Sequence, residues 1–237
     1  MTDDREAYCR EVEAHLCRKN DGHLIRIVGP AFEQVCGWAE RGVPLKVAVR
    51  GIDRYFERYY AKGPRRRPVR VEFCEADVLD VFDEWRRAVG VGAVVAAEEA
   101  TPDEGVRSAR SRESLSAHLD RVVARLTALR AGEDRSLDPM LDDIVRELDA
   151  ARSGAKQVRG ERRDALLQRL RDLDRRLVAA ARGASQPPLL ERLAAEADEQ
   201  LAPFRARMAA DVYGQSREAC IDRLIREHFR LPTISFD

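Results

Sequence analysis

With 237 residues, 44% of them hydrophobic and 35% charged, the chain has enough apolar matter for a buried core, which excludes wholesale disorder. Its 42 basic and 42 acidic residues cancel, so no overall charge draws it to a polyanion, and any such function must rest on charge gathered in one place. No apolar run approaches the roughly 20 residues of a bilayer-spanning helix, and the sequence opens with Asp3 and Asp4 rather than a cationic-then-apolar leader; a cytoplasmic protein without membrane contact is expected.

In chain order, residues 4–19 read as a helix with Tyr8, Val12 and Leu16 on one face, stopped by Asp21-Gly22. Leu24 to Val28 is a short apolar stretch, helical or extended, ending at Gly29-Pro30. A second helix over 31–41 turns Phe32, Val35 and Trp38 inward, and Arg41-Gly42-Val43 turns the chain. Pro44 suits the first turn of a third helix, which Gly63-Pro64 ends. Along it Leu45, Val49, Ile52, Phe56 and Tyr59 alternate spacings of four and three, a core-facing stripe. Gly51, mid-helix, costs about 1 kcal/mol relative to alanine, which predicts a second helix passing close at that point. A fourth helix over 74–88 turns Val78, Val81, Phe82 and Trp85 inward and Glu75, Asp77, Asp80, Asp83 and Glu84 outward.

From Gly90 the composition shifts to alanine, glycine, glutamate and serine. The expected division is a helical domain over 1–90, a linker over 91–111 and a helical bundle over 112–237, so that a protease cut in the linker releases two folded fragments. In the bundle Leu115, Leu119, Val122, Leu126 and Leu129 keep helical spacing. So do Leu141, Ile144, Val145 and Leu148 after Asp138-Pro139, and Leu166, Leu170, Leu173, Leu177 and Ala181. Pro187-Pro188 opens a helix bearing Leu189, Leu193, Ala197 and Leu201, which Pro203 kinks or divides. A last helix over 216–229 carries Cys220, Leu224, Ile225 and Phe229, followed by the short extended tail Leu231-Pro232-Thr233-Ile234-Ser235-Phe236-Asp237. The stripes of 115–129 and 166–181 are narrow and coiled-coil-like, and pairing between chains into a homodimer is expected from them.

The strongest functional signal lies in residues 43–72, where nine basic groups meet three acids, Asp53, Glu57 and Glu72. Lys46, Arg50, Arg54, Arg58 and Lys62 recur every four residues on the third helix; Arg65, Arg66, Arg67 and Arg70 follow in a proline-flanked loop. Such a row can contact successive phosphates of a nucleic acid, and the interleaved Tyr55, Tyr59 and Tyr60 can stack on unpaired bases. The competing account is a solvated face, with Asp53 and Glu57 pairing to arginines one turn away, or with the acidic fourth helix pairing with the basic one. An anionic membrane surface fits less well, because the aromatics belong to the core stripe.

Other chemistries lack their patterns. The five cysteines (9, 17, 36, 74, 220) hold no Cys-x-x-Cys pair, so buried reduced thiols are expected rather than disulfides or zinc. His15, His118 and His228 are isolated, and no phosphate-cradling glycine loop, dinucleotide fingerprint or nucleophile elbow occurs. No enzyme, metal or cofactor is expected. The helix-turn-helix arrangement around Gly42 places the bulky Trp38 where that motif wants a small residue.

Residues 31–92 resemble the helical domain of DnaD-like replication and primosome proteins. Val35, Trp38, Gly42, Pro44, Val47, Gly51 and Ile52 resemble its first part, and Val81, Trp85, Gly90 and Val91 its second. Asp77 stands eight before Trp85, where that family carries tyrosine. The resemblance implies a role in single-strand DNA binding. The expectation is thus an all-α, non-enzymatic nucleic-acid-binding accessory protein. The alternative is a helical scaffold or adaptor that binds a protein partner.

Overall fold

Short glycine and proline breaks cut the chain into helices. The computed structural model describes residues 2–61, 63, 67–91, 114–130, 137–154 and 160–236, and these are all-α. The described helices are α1 (Thr2–Lys19), α2 (Pro30–Glu40), α3 (Leu45–Tyr60), α4 (Glu75–Ala88), α5 (Leu115–Arg130), α6 (Asp138–Gly154), α7 (Glu161–Ala184), α8 (Pro187–Leu201) and α9 (Ala210–His228). Tight 3-10 turns span Val71–Cys74 and Ala202–Arg207. Pro203 therefore divides rather than kinks, and the last helix begins six residues earlier than its apolar stripe suggests. No helix among the described residues is long and apolar enough to cross a membrane.

Four helices end alike. In each, the amide three residues past the helix donates back across five residues: Gly22 to Cys17, Val43 to Trp38, Val91 to Arg86 and Leu231 to Arg226. That closure places the intervening residue in the left-handed region. Glycine stands there at 42 and 90, the tolerant aspartate at 21, and an arginine, Arg230 (φ 55°), at the end of α9.

The chain forms two compact units. The first comprises residues 1–99 and 200–216, the second 100–199 and 217–237. Segment 200–216 thus departs from the expected assignment of all of 112–237 to one bundle. The physical reason is aromatic packing: Phe204 is fully buried, its ring 5.8 Å from that of Trp85, and Trp85 Nε1 donates to Gln200 Oε1 at 3.2 Å. A Cβ on Gly42 would lie 2.9 Å from the Phe204 ring, so the turn after α2 needs glycine for space as well as for its positive φ. Residues 92–113, which hold nearly all of the expected linker, lie outside the described residues.

In the first unit α3 packs along α4, and α1 along α2 and α3. The buried face of α3 is Val47, Ala48, Gly51, Ile52 and Phe56. Leu45, Val49 and Tyr59, expected in the core, are only half-buried. The contact is closest at Gly51, where the Val78 backbone of α4 leaves no room for a Cβ. In the second unit α5 packs on α6 and α6 on α7. Leu119, Leu126, Leu170, Leu173 and Leu177 are buried within the single chain, while Leu115, Leu129 and Leu166 at the stripe ends are half-buried.

The basic helix as a candidate nucleic-acid interface

The basic row of α3 winds around the helix, because a four-residue step overshoots a turn by about 40°. Its C-terminal half therefore turns toward α4. There Arg58 Nη2 donates to Asp77 Oδ2 at 2.6 Å, Arg54 Nε stands 3.8 Å from Asp77 Oδ1, and Arg54 Nη1 donates to Glu84 Oε1 at 3.0 Å. The side chain of Asp77 is only 4% exposed. Burial pushes its carboxyl above the usual range, and the Arg58 and Arg54 guanidiniums oppose that rise. Arg58 also lies over the Tyr55 ring, 5.6 Å from its centre.

Asp77, expected on an outward acidic face, is thus an inward residue that ties α3 to α4. Its register shows why: it stands four before Val81 and eight before Trp85, both buried on the same face of α4. Asp53, expected to pair with arginines on its own helix, instead meets α1, with His15 Nε2 at 2.8 Å and Lys19 Nζ at 2.9 Å.

Of the nine basic residues named from the sequence, Arg54 and Arg58 are therefore compensated within the fold. Lys46, Arg50, Arg67 and Arg70 are exposed. Lys62, Arg65 and Arg66 lie outside the described residues. Tyr55 and Tyr59 stack on each other at 5.7 Å. The loop carrying Arg67 and Arg70 is anchored by a residue the sequence reading missed. Asn20, buried at the end of α1, accepts from the Val69 amide at 2.7 Å and donates to the Val69 carbonyl at 3.0 Å and to Leu16 at 2.9 Å. Its amide pairs Val69 as a strand neighbour would. An asparagine immediately before Asp21-Gly22 was the available signal.

A second surface lies on the same unit. Ile25 donates its amide to Cys17 Sγ at 3.2 Å, and Ile27 donates its amide to Glu13 Oε2 at 2.7 Å. The partners are four apart on α1, about 6 Å along a helix, and the amides are two apart, about 6.6 Å along extended chain. Segment 23–28 thus runs extended and antiparallel to α1, resolving the alternative left by its sequence. Ile27 is buried and Ile25 half-buried, while Leu24 and Val28 are 75% and 65% exposed with exposed Arg26 between them.

The cysteines are free thiols, and all but Cys17 are buried. Burial pushes Cys9 and Cys74 up to about 12. Among the described residues no three His, Cys, Asp or Glu side chains converge as a metal site. No family model matches the chain, and no curated protein or solved structure matches it.

Proposed function

We propose that the chain is a non-enzymatic helical adaptor that binds a protein partner through segment 23–28. The supporting observation is the alternation of that segment. The Ile25 and Ile27 amides are taken by α1, and in extended chain the amides of Leu24, Arg26 and Val28 point to the opposite edge. They make no hydrogen bond to a described residue. A backbone edge flanked by two exposed apolar side chains is suited to an added strand. Arg26 between Leu24 and Val28 favours a partner segment that alternates apolar and acidic residues. The internal compensation of Arg54 and Arg58 supports this reading over a phosphate-tracking helix.

Nucleic-acid binding by an accessory protein is the second reading, favoured by the exposed Arg67 and Arg70, by the stacked Tyr55 and Tyr59, and by the resemblance to primosome components. One experiment separates the two. A photo-reactive residue at position 24 or 67 of the full chain, activated in cells, should capture a defined protein from position 24 and no nucleic acid from position 67. Nucleic acid captured from position 67, with none of the protein product from position 24, would replace the adaptor reading with the second one.

A further inference from the structure

In the second unit, segment 231–236 lies in a site that reads backbone as well as side chain. The Ile234 amide donates to Asp174 Oδ1 on α7 at 2.7 Å. The Ile234 carbonyl sits 3.1 Å from His118 Nε2 on α5. Both hydrogen-bonding groups of one residue are thus held by side chains of two different helices, while the Ile234 side chain is fully buried. Arg226 of α9 completes the cradle. It grips Asp174 with both nitrogens, Nη1 to Oδ1 at 3.1 Å and Nη2 to Oδ2 at 2.5 Å, and donates from Nη1 to the Pro232 carbonyl at 3.3 Å. Leu231 and Pro232 are buried, Thr233 points to solvent, and Phe236 meets the His118 ring edge-on at 5.2 Å. A half-buried carboxylate–guanidinium pair that orders an extended segment is the logic of peptide recognition, here with the ligand in the same chain.

The joint that feeds this segment into its site is strained. Arg230 occupies the left-handed position filled by glycine after α2 and α4. For a residue with a Cβ that conformation is disfavoured, because the Cβ crowds the following carbonyl oxygen. Swinging the segment outward releases this strain, while every contact around Ile234 can be remade by an identical segment from another molecule.

We propose that this site exchanges its occupant between copies, so that segment 231–236 of one molecule docks against Asp174, Arg226 and His118 of another and links them as a dimer. The route differs from pairing of the leucine stripes, most of whose members are buried within each chain.

The test uses the full chain. A light-isotope protein carrying photo-reactive benzoylphenylalanine in place of Phe236 is mixed with heavy-isotope wild type, incubated at high micromolar concentration, and irradiated. Exchange predicts crosslinks from light position 236 to the heavy α5 peptide around His118, in a fraction that grows with concentration. Crosslinks confined to light α5 overturn the proposal. A second arm mixes two full-length variants, Ile234→Asp, whose segment cannot dock, and Asp174→Ala, whose site cannot hold one. Each alone should be monomeric by light scattering, and the mixture should form a one-to-one complex. A mixture of folded variants that stays monomeric overturns the proposal, as does a complex formed by either variant alone.

Discussion

A Cβ atom placed on Gly51 would stand 2.4 Å from the backbone Cα of Val78. No real Cβ approaches a main-chain atom so closely, and a main-chain atom cannot rotate away as a side-chain tip can. The α3–α4 pair, which carries both the basic row and its acidic counterpart, is therefore built around the absence of one methyl group.

Gly51→Ala should destabilise the protein by about 3 kcal/mol, because overpacking outweighs the gain in helix propensity of about 1 kcal/mol. Gly214→Ala, on α9 with open space around it, should stabilise by up to about 1 kcal/mol. Chemical denaturation of the two variants beside wild type checks both signs at once. Equal effects would mean that α3 and α4 do not pack at this distance.

Asp77→Asn should change stability by no more than about 1 kcal/mol near neutral pH, because Arg54 and Arg58, though paired, keep water around them. Its pH dependence is more telling. The folded-state pKa of Asp77 is raised above its ordinary value, chiefly by burial. Stability associated with it is fully present below the unfolded value and is lost as pH rises through the folded one. The asparagine variant should lack that loss when denaturation midpoints are compared from about pH 3.5 to 7. The same variant frees the Arg58 guanidinium, while Arg54 keeps Glu84. If the helix bound nucleic acid, the salt dependence of affinity should steepen by about one phosphate contact; the adaptor reading expects no binding before or after.

Much of the helical plan was legible, since one-sided stripes such as Leu170, Leu173 and Leu177 have a period that only a helix satisfies. Legibility failed where a contact depended on what was missing or on what lay far off. The face of α3 was misjudged because Ala48 and Gly51, which let α4 approach, carry no apolar weight in a pattern. Asp77 reads as a solvated acid because acids surround it in sequence, although its register with Val81 and Trp85 points inward. The cradle of Asp174, Arg226 and Ile234 left no local trace, because its members are 52 and 60 residues apart from Asp174.

The thiols make an alkaline prediction. Burial, followed by the nearby Asp77 and Glu72, pushes Cys74 from 9.0 to about 12. A raised thiol favours the folded state fully below the unfolded value, and stability should fall from about pH 9 toward 12, by about 1.4 kcal/mol per pH unit for each such group. Cys74→Ala should show a shallower decline than wild type in denaturation series across that range. Iodoacetamide on the native protein should label Cys17, the one thiol not buried, before Cys74 or Cys220. Mass mapping of early labelling settles the order.

Asn20→Ala should cost about 2–3 kcal/mol, since the Val69 amide and carbonyl would both lose their partner in a buried position. It should also speed amide hydrogen exchange around Val69, detaching the loop of Arg67 and Arg70. Unchanged exchange at Val69 would show that Asn20 does not anchor that loop.

Phe204 seated against Trp85 and Gly42 has a consequence for the order in which the protein can be made. The first unit is not complete when residue 90 leaves the ribosome, because its missing aromatic plug is more than a hundred residues behind in translation. Until segment 200–216 emerges, Trp85 has no Phe204 to cover it, and the nascent N-terminal helices must wait as a loosened intermediate exposed to chaperones. A released fragment of residues 1–90 should accordingly melt without a sharp transition, and a nick between 92 and 113 should leave two pieces that copurify rather than separate. The helices of 1–90 are thus closed by a segment made more than a hundred residues later, and their packing is complete only once that segment is in place.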